Sequence, residues 1–305
     1  MTERPGVGID LGGTKIRTGV VSPAGDILGE ALRPTQAERP ADEVLENMAQ
    51  SVRDALEDAD LEPGQVAGVG LGSPGPMDIR GGRLISPNNL PTLHDFAIVD
   101  ELSDALGMQV SFNNDANCFG LAEARFGAGA DAKVCAGLTL GTGLGAFLVV
   151  GGHVYEGAHG AGVEIWCSNY RGDYVEEKVS GRGIARNYKK LTHEDADPEE
   201  IAERARDGQE EARETWREFG RDLAVPVSYL SNITDPEVFV LGGSIVKAAD
   251  LFLEALLAET TKYIDPMTSG DLRIVPGSLG DPAGMLGAAA LVLDNDMDRP
   301  DRKAT

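Results

Sequence analysis

A glycine turn near the start of the chain carries residues suited to phosphate binding. Gly12, Gly13, Thr14 and Lys15 separate two stretches that alternate like β-strands, and Asp10 lies at the end of the first. Glycines let the backbone approach a phosphate closely and direct its N–H groups inward, and Thr14 adds a hydroxyl donor. Asp10 offers the carboxylate oxygen that Mg²⁺ prefers, acting through water. An ordinary β-hairpin turn is the alternative, and the order of residues differs from a P-loop, where Gly-Lys-Ser/Thr opens a helix.

A second turn of the same type contains Gly141, Thr142 and Gly143, between predicted strands over 134–140 and 146–150. The succession of strand, Gly-Thr turn, strand, tight turn and strand therefore occurs twice. Such self-similarity predicts an internal duplication, with two similar α/β domains that face a cleft. Two facing turns can hold a triphosphate from both sides, so the pair is more specific than either turn alone.

Asp115 stands at a predicted junction between a strand and a helix, directly after Asn114. A carboxylate in this place can take a proton from a substrate hydroxyl as a general base. An ordinary helix N-cap is the structural alternative. The GxGxxG pattern over 70–75 does not predict a dinucleotide site, because Pro74 and Pro76 stand where the required helix should begin.

Hydrophobic spacing and turn residues predict the elements that must position these side chains. Helices are expected over 41–59, 100–106, 116–126, 198–230, 251–263 and 282–293. Asp197 is expected to cap the segment 198–230, and Pro226 to kink or divide it. A chain of this length favours two domains. We expect a small α/β domain over 1–116, completed by a C-terminal helix at about 283–295, and a larger α/β domain over 117–282, with a charged tail from Asp294.

The composition excludes several classes of protein. The 305 residues are 42% hydrophobic, which is enough for a substantial core. A balance of 50 acidic to 27 basic residues gives a net charge of −23, which repels nucleic acid and anionic lipid. This charge fits the high-salt cytoplasm of a halophilic cell, although an acidic mesophilic protein has the same signature. The three cysteines form no CxxC pair, which predicts a reducing compartment. The first residues include no signal-peptide apolar region, so we expect a cytoplasmic protein that does not bind a membrane.

Six short motifs occur in the order that is typical of the repressor/ORF/kinase (ROK) family, and the resemblance extends from about residue 6 to residue 292. They are Asp10-Leu-Gly-Gly-Thr-Lys15, Gly72-Ser-Pro-Gly75, Asn89-Leu90, Asn114-Asp-Ala-Asn117, Leu140-Gly-Thr-Gly143 and Leu241-Gly-Gly-Ser244. The resemblance implies a two-domain, actin-like ATPase fold of the hexokinase-like and ribonuclease H-like type, with ATP in the interdomain cleft. It also implies a homodimer or a higher homo-oligomer.

The resemblance also implies roles for individual residues. Asp115 is expected to be the catalytic base, and Asn89, Asn114 and Asp115 are expected to contact the sugar. Gly242 and Gly243 correspond to the family's turn beside adenosine.

The segment 160–181 departs from the family's pattern. The two glutamates that bind sugar in the family are retained as Glu164 and Glu176, although taken alone they would be ordinary surface carboxylates. A family histidine is replaced by Cys167, next to Trp166, and the family's three clustered cysteines are missing. One thiol cannot form a tetrahedral structural zinc site, so we expect no zinc.

These observations predict the Mg²⁺-dependent transfer of the ATP γ-phosphoryl group to a hexose, with the 6-hydroxyl of glucose as the leading acceptor. Mannose, fructose and an N-acetylhexosamine are alternative acceptors. A sugar-responsive transcriptional regulator of the same family is a rival, as is a sugar-binding protein that has lost catalysis. The acidic charge and a first phosphate strand that begins by residue 7 argue against DNA binding.

Overall fold

The computed structural model describes residues 4–293. The predicted charged tail from Asp294, and the last two residues of the helix expected at 283–295, lie outside the described residues. The strands of the described part are β1 (Gly6–Leu11), β2 (Lys15–Val21), β3 (Ile27–Pro34), β4 (Val69–Ser73), β5 (Met77–Asp78), β6 (Arg83–Leu84), β7 (Val110–Asn114), β8 (Val134–Leu140), β9 (Leu144–Val150), β10 (His153–Val154), β11 (Asn169–Tyr170), β12 (Asp173–Tyr174), β13 (Val238–Gly242) and β14 (Arg273–Pro276).

The α-helices of the same part are α1 (Ala41–Asp58), α2 (Ile98–Leu106), α3 (Asp115–Phe126), α4 (Gly181–Thr192), α5 (Pro198–Arg206), α6 (Glu210–Thr234), α7 (Ala249–Thr260), α8 (Pro266–Ser269) and α9 (Ala283–Leu293). Short 3₁₀ turns occur at Pro63–Gln65, Ile165–Cys167, Val175–Glu177 and Ser244–Ala248. No helix within residues 4–293 combines the length and the apolar character that crossing a membrane requires.

Two five-stranded sheets repeat one topology. Their strand orders are β3-β2-β1-β4-β7 and β10-β9-β8-β13-β14. In each sheet, three consecutive strands form an antiparallel meander. A later strand pairs in parallel with the first strand of the meander, and a further strand pairs in parallel with that one. The predicted internal duplication is therefore confirmed in the strand order, and each Gly-Thr turn connects the first two strands of its sheet.

Contacts divide the described residues into two compact units: residues 4–126 together with 279–293, and Gly127–Ser278. The boundary expected at 116/117 falls inside α3, which belongs whole to the first unit. The physical reason is the close packing of α3 on α9. A Cβ atom at Gly287 of α9 would overlap the carbonyl oxygen of Cys118 in α3.

Helix α9 also lies directly against the first sheet. A Cβ atom at Gly8 in β1 would overlap the carbonyl oxygen of Met285, and one at Gly70 in β4 would overlap that of Ala288. Glycine at these positions lets the helix backbone approach the strand backbone. Since Asp10 is the penultimate residue of β1 and Asp115 is the first residue of α3, α9 packs on both elements that carry these carboxylates.

The second unit is built around a cluster of aromatic side chains. Trp216 and Phe219 of α6 pack with Phe252 of α7, with ring centroids 5.1–6.0 Å apart. All three are buried. Burial of three aromatic rings anchors α6 and α7 to each other, and the sheet β8-β9-β13 packs on the same core.

The helical segment predicted over 198–230 is divided, but not at Pro226. Asp197 caps α5 as expected, accepting a hydrogen bond from the Glu200 backbone N–H, with Pro198 at the first position. The division occurs at Asp207–Gln209, where Gly208 has a φ of +102° that a helix cannot adopt. Pro226 lies inside α6 without ending it.

Candidate functional site

The first Gly-Thr turn is held in place by Thr35, a residue that sequence reasoning missed. The Gly12 N–H donates to the Lys15 carbonyl oxygen at 3.0 Å and closes the turn. Thr35, which is fully buried, donates its hydroxyl to the Gly12 carbonyl oxygen at 2.6 Å and its N–H to the Thr14 carbonyl oxygen at 3.0 Å. Thr14 and Lys15 are exposed at the tip. No motif pointed to Thr35, because it follows β3, which is distant in sequence.

Asn89 lies against the same turn. A Cβ atom at Gly13 would come within 2.8 Å of both the Cβ atom and the carbonyl oxygen of Asn89. Any side chain at position 13 would therefore push the turn and the Asn89 loop apart. The structure thus brings together the predicted phosphate turn and one of the predicted sugar contacts.

Asp10 lies next to the end of β1, and its carboxylate is largely shielded from water. Burial raises its pKa, and the positive charges of Lys15 and Arg17 partly offset that rise. Its carboxyl group faces the start of α9, since a Cβ atom at Gly284 would come within 2.8 Å of Asp10 Oδ2. A desolvated carboxylate is stabilised by a nearby cation, so the donor chemistry of Asp10 fits a hydrated Mg²⁺ ion carried by a nucleotide.

Asn114 and Asp115 lie at the junction of β7 and α3 and have different tasks. The Asn114 Oδ1 atom accepts a hydrogen bond from the Asn117 N–H at 2.7 Å, so Asn114 caps the helix. Asp115 is the first residue of α3, and its Oδ1 accepts from the Ala116 N–H at 2.8 Å. The side chain of Asp115 is exposed. Asn114, rather than Asp115, therefore acts as the N-cap of α3.

The catalytic candidates of the first unit lie at one edge of its sheet. Strands β1, β4 and β7 are parallel, so their carboxyl ends meet at the edge where ligands bind in such sheets. The buried Cys118 thiol lies near both carboxylates. Burial raises its pKa most, and the negative charges of Asp10 and Asp115 raise it further. The structure therefore places Asp10 and Asp115 on the same side of the unit.

The second Gly-Thr turn has its own support within the second unit. The Gly141 N–H donates to the Gly143 carbonyl oxygen at 3.1 Å, and the Gly181 N–H donates to the Gly141 carbonyl oxygen at 2.8 Å. At the other end of the turn, the Leu144 N–H donates to Glu176 Oε2 at 2.9 Å. Thr142 is exposed at the tip, as Thr14 is in the first turn.

The turn formed by Gly242 and Gly243 packs against the start of this second Gly-Thr turn. Gly242 ends β13, opposite Thr139 of β8. Gly243 has a φ of +88°, and a Cβ atom there would overlap the backbone of Leu140. Only glycine meets both demands, so the glycine at position 243 has a steric cause.

The altered loop brings the two predicted sugar-binding glutamates into neighbouring 3₁₀ turns. Glu164 directly precedes the turn Ile165–Cys167, and Glu176 lies in Val175–Glu177; the two turns contact each other. Trp166 packs edge-on against Tyr174, with ring centroids 5.8 Å apart, and both rings are exposed.

Glu164 remains an exposed residue, yet neighbouring atoms shield its carboxyl group enough to raise its pKa; a hydrogen bond with Trp166 acts in the opposite direction. The exposed Cys167 thiol donates weakly to the Glu164 carbonyl oxygen at 3.6 Å. Within the described residues, no group of three or more histidine, cysteine or acidic side chains is arranged to hold a metal ion.

Comparisons with known proteins place these features in a family. A model of the ROK family matches residues 6–295. The glucokinase of Thermotoga maritima is 32% identical to the chain, over 94% of this chain and 96% of that protein. The crystal structure of a ROK hexokinase from Thermus thermophilus has a TM-score of 0.85 at 30% identity, covering 94% and 97%. A ROK family glucokinase from Streptomyces griseus, solved with glucose and AMPPNP, has a TM-score of 0.78 at 26% identity, covering 94% and 98%.

Proposed function

The chain belongs to the ROK family and has its actin-like ATPase fold, and we propose that it is an ATP-dependent sugar kinase with glucose as its leading substrate. One observation carries the proposal most directly. Two units of the same topology each present a braced Gly-Thr turn, and the first unit adds an exposed carboxylate at the start of α3. The glucokinase and hexokinase relatives support the same activity.

The Gly-Thr turns bind the phosphates of ATP in this proposal. Thr14 and Thr142 supply hydroxyl donors, and the turn glycines let backbone N–H groups approach phosphate oxygens. Lys15 adds a positive charge beside the first turn. The turn of Gly242 and Gly243 lies beside the adenosine. Such interactions stabilise the charge that develops during phosphoryl transfer, which is the main catalytic contribution in this chemistry.

Mg²⁺ enters as part of the nucleotide substrate and neutralises negative charge on the phosphates. Asp10 orients the hydrated ion through water, because its desolvated carboxylate gains from a nearby cation.

Asp115 acts as the general base in this proposal. Its carboxylate takes the proton from the attacking sugar hydroxyl while the oxygen of that hydroxyl bonds to the γ-phosphorus. The bond from the γ-phosphorus to the bridging oxygen breaks at the same stage, and ADP leaves. Asn114 fits a sugar contact, because the helix cap uses its Oδ1 atom as an acceptor, while its amide NH₂ group can donate to a sugar hydroxyl.

Asn89, Glu164 and Glu176 complete the proposed sugar contacts. Sugar hydroxyls are both donors and acceptors, so carboxylate oxygens suit them well. Trp166 and Tyr174 offer exposed ring faces next to the two glutamates, where a sugar ring can pack.

The charge of −23 supports a further part of the proposal, that the protein works in a saline cytoplasm, and three free cysteines support a reducing one. A homodimer is proposed on the basis of the family alone. Activity measured in low and in multimolar KCl tests the first point, and light scattering tests the second.

The function is tested by measuring ADP release with ATP, Mg²⁺ and a panel of glucose, mannose, fructose, glucosamine and N-acetylglucosamine. We expect ADP release that depends on sugar, with glucose among the best acceptors. A protein that shifts DNA in a gel assay and releases no ADP with any sugar would instead be a regulator.

A further inference from the structure

One carboxylate links the altered sugar loop to the second Gly-Thr turn. Glu176 Oε2 accepts the Leu144 N–H at 2.9 Å, directly after the turn residues Gly141 to Gly143. Glu176 Oε1 accepts a hydrogen bond from Arg182 Nη2 at 2.6 Å. Its side chain is 20% exposed, whereas that of Arg182 is 54% exposed. Both oxygens of this carboxylate therefore have protein partners.

The contact leaves no room for a side chain on the turn. A Cβ atom at Gly143 would come within 2.6 Å of Glu176 Oε2. The same segment contacts the other end of the turn, because the Gly181 N–H donates to the Gly141 carbonyl oxygen at 2.8 Å. Glu176 and the start of α4 thus hold the turn at both ends.

The anchoring segment is itself fixed. Val175 is buried, and Ser180 caps α4 by accepting from the Gly183 N–H. Because this segment is anchored, the Glu176 carboxylate has a defined position, and its hydrogen bond to the Leu144 N–H holds Leu144 in place.

From this geometry we propose that Glu176, held by Arg182, is a positioning residue for the second phosphate turn, in addition to any contact with sugar. A carboxylate has about four acceptor positions, so two can hold Leu144 and Arg182 while the others face a sugar hydroxyl. The proposal rests on the proposed function, since it assigns ATP phosphates to this turn. Its consequence is that Glu176 sets nucleotide affinity even when no sugar is present.

The test is a titration of AMPPNP with Mg²⁺ by calorimetry in the absence of sugar. A hydrogen bond to a charged group is lost in Glu176→Ala, so we expect the Kd for AMPPNP to rise about ten- to a hundredfold. Glu176→Gln retains an acceptor oxygen for the Leu144 N–H, and it should recover part of that loss. Arg182→Met leaves the carboxylate in place but unanchored, and it should raise the Kd by a smaller factor.

Glu177→Gln is the matched control. Glu177 is the next residue; it pairs with Arg186 and also lies 3.6 Å from Arg182, but the Leu144 N–H bonds to Glu176 and not to Glu177. Its Kd for AMPPNP should stay within about twofold of the wild-type value, since an ion pair that remains partly accessible to solvent contributes little. Hydrogen exchange adds a structural readout. The Leu144 amide should exchange faster than in the wild type in Glu176→Ala, and at the wild-type rate in Glu177→Gln.

Separate outcomes distinguish the two proposals. An unchanged Kd for AMPPNP in Glu176→Ala, combined with a weakened Kd for glucose, overturns the positioning role and leaves Glu176 as a sugar contact only. Normal AMPPNP binding by the wild-type protein without phosphorylation of any sugar overturns the proposed function alone. A wild-type protein that does not bind AMPPNP overturns both.

Discussion

Replacing Asp115 by asparagine removes a base while leaving its structural contact intact. Asp115 Oδ1 accepts the Ala116 N–H at 2.8 Å, and an asparagine Oδ1 can accept the same hydrogen bond. The start of α3 is also capped independently by Asn114. The substitution should therefore keep this hydrogen bond and the helix cap while removing the capacity to take a proton.

The expected loss of rate in Asp115→Asn is that of a general base alone, because the hydrogen bond and the helix cap remain. General-base catalysis is typically worth about 10²–10⁴-fold in rate, equivalent to about 3–5 kcal/mol in the activation barrier. Since the cap and the backbone contact remain, the loss should appear in kcat, while the Kd for glucose should change by less than about fivefold, about 1 kcal/mol.

The assay combines steady-state kinetics with calorimetric titration of glucose. Asp78→Asn is the matched control, because Asp78 Oδ1 also accepts a backbone N–H, that of Gly81 at 2.9 Å, and Asp78 is not one of the proposed site residues. That variant should keep wild-type kcat. If Asp115→Asn retains more than roughly a tenth of wild-type kcat, a general base worth at least a hundredfold is excluded at this position.

Four further predictions concern the turns, the altered loop and the helix packing. Thr14→Val or Thr142→Val should raise the KM for ATP more than that for sugar, and an unchanged ATP dependence in both would contradict the roles of the turns. Elemental analysis should find no stoichiometric zinc; one zinc per chain, lost with activity on chelation, would be the opposite result. Because the Cys167 thiol hydrogen-bonds weakly, kcat/KM values for glucose and mannose should lie within about two orders of magnitude, and a preference above about a thousandfold would refute a loose pocket. Gly287→Ala should destabilise the protein by at least about 1–3 kcal/mol in urea unfolding, since its Cβ would overlap the backbone of α3; unchanged stability would mean that the helices separate freely.

The features predicted well from sequence are those with a strong local signal. Both Gly-Thr turns lie between strands with β-type alternation, so their place in the two sheets could be inferred from the chain alone. The cap of α5 at Asp197 was signalled by the following proline at the first helical position. Each of these depends on residues that are close in sequence.

Other features depend on contacts between distant residues and could not be predicted. Thr35 is a single buried threonine after β3, and nothing in its neighbours indicates that it supports the first turn. The link from Glu176 to Leu144 spans two elements, and α4 itself was missed. The sequence predicts a break in the segment 198–230 at Pro226, because an interior proline is the stronger local signal. The break instead occurs at Gly208, and helix α6 continues through Pro226.

The most direct test of the central claim is to identify the product by ³¹P NMR after incubation with ATP, Mg²⁺ and glucose. A kinase built as proposed should yield glucose 6-phosphate and ADP in equal amounts, and Asp115→Asn should form both far more slowly. ADP with inorganic phosphate in place of a sugar phosphate, or no consumption of ATP with any sugar of the panel, would contradict the assignment of this site to sugar phosphorylation.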